Sequence, residues 1–76
     1  MYYDHHITAQ DIGFLRTQRG LSQEYISKNA NLSQSHYAMI ETGAKSATVK
    51  TLWKISEALG LRISDLFRMI EGRIQP

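Results

Sequence analysis

No cysteine occurs among the 76 residues, so neither a disulfide nor a thiolate metal site can staple the fold, and nothing speaks for an oxidising compartment. Uninterrupted apolar runs are only a few residues long, far short of the roughly 20 needed to cross a bilayer, and no charged-then-apolar start suggests a secretion signal. The chain therefore reads as cytoplasmic, with no membrane partner. Strand-type alternation, internal repeats, low-complexity tracts and linkers are all missing. So are paired carboxylates, an activated nucleophile, a metal-ligand cluster and a phosphate-binding glycine loop. A chain this short is too small to enclose a substrate pocket, so neither catalysis nor a cofactor is expected. Asp4, His5 and His6 are neighbours but lack workable ligand spacing and a fourth partner, so no metal site is expected there.

Acid is scarce where it would be most informative. From Tyr25 to Ser56 the only acidic residue is Glu41, while Lys28, Lys45, Lys50 and Lys54 all fall in that span. The net charge of +2 and the pI near 9.2 permit a nucleic-acid partner without demanding one. The distribution says more than the total, because one face is expected to be cationic. A chain of 76 residues supports one compact core, buries roughly 60% of its unfolded surface and gains stability from any partner that adds buried area.

What remains is helical. Residues 1–7 show no helix or turn signal and read as a flexible arm. Thr8 with Asp11 three residues on resembles a capping box, and Ile12, Leu15 and Phe14 supply an apolar stripe up to Gly20, predicting a helix over 8–19. Gly13 inside it weakens the helix by about 1 kcal/mol and marks a close helix contact. Ser22 caps a helix over 22–29, with Glu24 in its first turn, and Asn31 suits the left-handed turn that follows. Ser33 caps 33–42, where Tyr37 and Ile40 face the core and Gly43 ends the helix. Thr48 caps 48–59, whose Val49, Leu52, Ile55 and Leu59 recur at three- and four-residue steps before Gly60. Trp53 falls beside that stripe and is expected to pack partly into the core, the alternative being that it forms part of a partner surface. A last helix over 64–71 presents Leu66, Phe67 and Ile70, and 72–76 form a tail. The fold class is all-α, with five short helices.

From Ile12 to Leu66 the chain resembles the Cro and lambda-repressor class of helix-turn-helix regulators, often called the xenobiotic-response-element family. The resemblance is carried by LRTQRGLSQEYISKNANLSQSHYAMIETG and TLWKISEALGLRISDL. In these stretches the leucine-serine-glutamine-glutamate start, the isoleucine-glutamate-x-glycine end and the alanine-leucine-glycine of helix four stand in register. Ser27 stands where the family usually has alanine, Asn31 where it has the turn glycine, Ala47 where proline is common, and Arg62 where a capping serine is frequent. These departures alter packing and caps without removing the motif.

The resemblance implies a sequence-specific, repressor-like regulator whose partner is double-stranded DNA, with helix three in the major groove. Base edges then fall to Gln34, Ser35, Ala38 and Met39; glutamine can offer a donor and an acceptor together to adenine, and methionine can touch a thymine methyl. Gln23, Ser33, His36, Thr42, Lys45 and Ser46 fall on the DNA backbone, where they position without specifying. Arg16 and Glu41 match a structural ion pair across helices one and three. Apolar residues at Leu66, Met69, Ile70 and Ile74 exceed what one buried face needs and suggest a homodimer seam. Regulation would come through concentration, a regulatory partner protein or proteolysis. The competing reading is a protein-interaction adaptor, or an antitoxin-type module, on the same fold.

Overall fold

A computed structural model describes the backbone of residues 5–74 and the side chains of residues 8–72. It shows five helices and no strand among the described residues: α1 His5–Gln18, α2 Gln23–Asn29, α3 Gln34–Thr42, α4 Val49–Ala58 and α5 Ile63–Ile74. Helix α1 packs on α3 and α5, α2 on α3 and α4, and α4 on α5. One core lies between them, built from Ile12, Leu15, Ile26, Ala30, Tyr37, Ile40, Leu52, Ile55, Leu59, Leu66 and Ile70. No described helix is long and apolar enough to cross a membrane.

Hydroxyl caps set three of the starts. Ser22 Oγ accepts from the Tyr25 N–H at 3.0 Å, Ser33 Oγ from the His36 N–H at 3.0 Å and Thr48 Oγ1 from the Thr51 N–H at 3.1 Å. Each satisfies an N–H that has no partner inside its helix, a contribution of about 1 kcal/mol. The turn between α2 and α3 is closed by a paired arrangement in which the Leu32 N–H reaches the Ser27 carbonyl at 2.8 Å and the Asn31 N–H reaches Lys28 at 3.2 Å. Asn31 takes φ 57° there, a left-handed conformation that asparagine tolerates better than most residues. The same pair of bonds ends α1 and α4. Helix α3 ends differently: Gly43 turns at φ 84° and the Lys45 N–H reaches back to the Met39 carbonyl at 3.1 Å, folding the next loop against the helix end.

Several boundaries differ from the sequence expectation. Helix α1 begins at His5, so the arm read over 1–7 extends no further than residue 4, outside the described residues. Thr8 is not a cap; it lies inside α1 and is buried, as are Ala9 and Asp11. Small and polar residues continue the inward stripe upstream of Ile12, which an apolar count does not see. Phe14 is 59% exposed and leaves the stripe. Helix α5 starts one residue early, where the Asp65 carboxylate accepts from the Arg62 N–H at 3.4 Å, the reciprocal half of a capping box without the serine half. It also runs through Gly72 to Ile74, so most of the expected tail is helix. Trp53 is 54% exposed and does not pack into the core.

Two of the four residues expected at a dimer seam on α5 are enclosed within the single chain. Leu66 and Ile70 are fully enclosed in the core of the single chain, and Met69 packs half-buried against it. The side chain of Ile74 lies outside the described residues. Leu66 and Ile70 are enclosed where α5 packs against α1 and α4.

Candidate nucleic-acid interface

Helix α3 turns Tyr37 and Ile40 inward, both buried. At 3.6 residues per turn, Ser35, Ala38, Met39 and Thr42 share the opposite face, with Gln34 at its N-terminal edge. Gln34, Ser35, Met39 and Thr42 are exposed and Ala38 is half-buried. None of these side chains is charged. His36 lies on the flank, half-buried, away from the face that carries Ser35 and Met39. Lys45 and Ser46 are exposed in the loop after α3, while Ser33 is occupied as the cap of α3. The Thr42 hydroxyl bonds the Met39 carbonyl at 3.2 Å, which holds it close to its own helix.

Beneath this face lies a polar network. Arg16 Nε donates to Glu41 Oε2 at 2.8 Å and Arg16 Nη2 to Glu41 Oε1 at 2.8 Å, a two-pronged ion pair that joins α1 to α3. The remaining Arg16 nitrogen donates to the Leu21 carbonyl at 2.8 Å, fixing the turn before α2. Gln23 Nε2 donates to Glu41 Oε1 at 3.2 Å, which ties the start of α2 to the same carboxylate. Both charged side chains are largely enclosed, at 16% and 12% exposure, so their attraction is screened less than that of a surface pair. Helix α1 approaches the pair closely at Gly13, where a Cβ would lie 3.4 Å from Glu41 Cγ.

The electrostatics follow from the packing. Burial pushes the Glu41 carboxyl up, but the Arg16 donors, the nearby Tyr37 hydroxyl and the Gln23 amide outweigh it and hold the group below its usual value. Burial, reinforced by the Glu41 carboxylate, pushes the Tyr37 phenol up, so it stays neutral at any working pH. Its hydroxyl feels both charges without forming a well-aligned hydrogen bond. The Glu41 bond raises Arg16 further against its own desolvation. The one acid between Tyr25 and Ser56 is thus internal and neutralised, and the outer face of α3 carries no negative charge. Sequence reasoning missed the link from Gln23 to Glu41, because no local spacing connects residues on different helices. It also missed the carbonyl of Leu21 as a partner for Arg16.

A model of the helix-turn-helix family matches residues 12–66. The chain belongs to that family. It is 36% identical over 55 residues to an HTH-type transcriptional regulator of Sinorhizobium fredii, covering 72% of this chain and 71% of the relative. It is 39% identical over 51 residues to the control protein C.MunI of a Mycoplasma species, covering 67% and 69%. Among solved structures, the restriction-modification controller protein C.AhdI of Aeromonas hydrophila superposes with a TM-score of 0.79 at 30% identity, over 87% of this chain and all of that one. The controller C.Esp1396I superposes with a TM-score of 0.88 at 23% identity, a likeness of fold. This helix-turn-helix chain is therefore a DNA-binding transcriptional regulator, in a family of regulators rather than enzymes.

Proposed function

We propose that the chain is a sequence-specific, repressor-like regulator that lays α3 in the major groove of its operator, with Gln34, Ser35, Ala38 and Met39 against base edges. The observation that carries this reading is the uncharged outer face of α3 above an acid that has been turned inward onto Arg16. An exposed carboxylate there would repel phosphate. Gln34 supplies a donor and an acceptor at the exposed N-terminal edge, suited to the N6 and N7 positions of adenine. Met39 offers an apolar contact for a thymine methyl, and Ala38 permits close approach.

The DNA backbone falls to groups around this face. Gln23 is held by Glu41 through one amide hydrogen, and its second remains available to a phosphate oxygen. Exposed Lys45 and Ser46 lie where the adjoining strand would run, with Ser33, Thr42 and His36 at the margins. We read the working form as a homodimer on a two-fold operator, because half-sites about one helical turn apart double the contacts available to so small a domain.

Selection of bound sequences from a random duplex pool, at two salt concentrations, tests this reading. The expected result for the wild type is a palindrome with half-sites roughly 10 base pairs apart. Gln34→Ala should relax preference at one position per half-site and lower specific affinity about 5- to 150-fold, the equivalent of roughly 1–3 kcal/mol. Failure to enrich any sequence, with binding lost on adding salt, would remove base readout and favour the protein-adaptor role.

A further inference from the structure

Sulfur in this chain is confined to three methionines, because cysteine is absent. Met1 lies outside the described residues, and Met69 packs half-buried against the core from α5. Met39 differs from both. It is 37% exposed, on the outer face of α3 that it shares with Ser35, Ala38 and Thr42, none of them charged. Its main chain is pinned while its side chain is not. The Met39 carbonyl accepts from the Thr42 hydroxyl at 3.2 Å and from the Lys45 N–H at 3.1 Å, two bonds that fix the backbone where α3 ends. A change at the thioether therefore alters this face without disturbing the core or the helix end.

One reaction of a thioether suits such a position. The sulfur lone pair attacks a peroxide oxygen, and the O–O bond breaks as the S–O bond forms. The departing hydroxide takes the proton from the transferred oxygen, so hydrogen peroxide yields methionine sulfoxide and water. Sulfur loses two electrons and the peroxide gains them. Methionine sulfoxide reductases reverse the step with electrons from a thiol. The product is polar where the thioether was apolar, and its oxygen is a strong acceptor. Pressed against a thymine methyl, that oxygen loses its water and gains no donor from the methyl, so the contact becomes unfavourable.

We propose that Met39 is an oxidation site through which peroxides release the regulator from DNA. In the free protein its sulfur is open to the oxidant, and the sulfoxide, once formed, keeps α3 from its bases. This inference rests on the major-groove reading of α3 given above. The same side chain reads the base and senses the oxidant, with no thiol involved. Docking covers Met39, so oxidation acts on the free protein and draws the bound protein off by mass action.

The test treats the full chain with hydrogen peroxide in native buffer, locates each sulfoxide over time by peptide mass spectrometry, and measures affinity for the selected operator duplex by fluorescence anisotropy. Wild type, Met39→Leu and Met69→Leu are compared, each with a thermal melt. Met39 should gain its oxygen before Met69. Wild-type affinity should then fall about 5- to 150-fold, the effect of one unsatisfied buried acceptor, with the melt unchanged, and methionine sulfoxide reductase should restore it. Saturating operator duplex should slow oxidation of Met39 severalfold and leave the rate at Met69 as it was. Met39→Leu, whatever its own affinity, should keep that affinity through peroxide treatment, whereas Met69→Leu should lose it as wild type does. The proposal is overturned if Met39→Leu loses affinity to the same extent as wild type, or if Met69 reacts first and binding is lost with the fold. The operator reading is judged by the reduced protein. If reduced wild type selects no sequence, that reading fails and this inference falls with it. If it selects a sequence that the oxidised and reduced forms bind equally, the oxidation inference fails alone.

Discussion

Helices α3 and α4 share a core and present opposite kinds of surface to the outside. The outer face of α3 is uncharged, with short or flexible side chains at Ser35, Ala38, Met39 and Thr42. That of α4 carries a large aromatic ring between charges of both signs. The difference continues underneath. Glu41 of α3 is anchored by Arg16 and Gln23 from two other helices, whereas α4 is held by apolar packing of Leu52, Ile55 and Leu59, with the Ser56 hydroxyl closed onto the Trp53 carbonyl at 2.8 Å. Hydrogen bonds fix angles, while apolar contact mainly excludes water. A face that must match base edges gains from the first kind of support. A face that needs only area does well with the second.

The largest break in this comparison should come from below α3. Arg16→Met strands the Glu41 carboxylate in a largely enclosed site, at a cost of about 3–5 kcal/mol. A 76-residue domain holds only roughly 4–11 kcal/mol in total, so the variant should lose most of its stability in a urea or thermal melt. Replacing Glu41 by methionine as well should recover most of that loss, since a well-packed apolar pair often equals a buried ion pair. Operator specificity should not recover with it, because the bonds that set the angle of α3 remain absent. No comparable single substitution exists on the outer face of α4, where Trp53→Ala should leave the melt nearly unchanged.

Acid should erode the same support. The folded Glu41 carboxyl lies below its ordinary value, so the unfolded chain takes up this proton first as pH falls. The stabilisation is present above the unfolded value of about 4.3 and is lost as pH drops through the folded value. Glu41→Gln should be less stable than wild type at neutral pH, and the gap should narrow below about pH 4. A gap independent of pH would mean that the ion pair contributes nothing by its charge.

On the DNA side, Lys45→Gln should change affinity modestly and reduce the slope of log affinity against log salt by about 0.9, one phosphate contact. Its sequence preference should match wild type, in contrast to Gln34→Ala. A change in the selected sequence would move Lys45 from the backbone to a base.

The sequence was most legible where local rules suffice. Ser22, Ser33 and Thr48 act as caps, Asn31 makes its left-handed turn, and Tyr37 and Ile40 face the core, because caps, turns and the 3.6-residue period depend on near neighbours. The start of α1 was hidden because Thr8 and Asp11, which extend the buried stripe, are polar and Ala9 is small. The family register brought Arg16 to Glu41, but nothing in the chain announced that Gln23 would join them, since that bond spans 18 residues and depends on how α2 meets α3. Leu66 and Ile70 were misjudged for the converse reason. Counting apolar residues on α5 cannot show that α1 and α4 both pack on it.

Gly13 sharpens the contrast at the smallest scale. It lies inside α1 with helical backbone, where alanine would be favoured by up to about 1 kcal/mol. A Cβ built there lies 3.4 Å from Glu41 Cγ and 3.6 Å from Cδ, near ordinary van der Waals contact. Gly13→Ala should therefore raise the melting temperature by a few degrees, given that 1 kcal/mol moves a domain of this size by about 4–8 °C. Gly13→Val adds methyl groups that must enter the space of the Glu41 side chain and should lower stability. If alanine also lowers it, Glu41 cannot yield even a few tenths of an ångström, and the carboxylate under α3 is held more rigidly than its hydrogen bonds alone require.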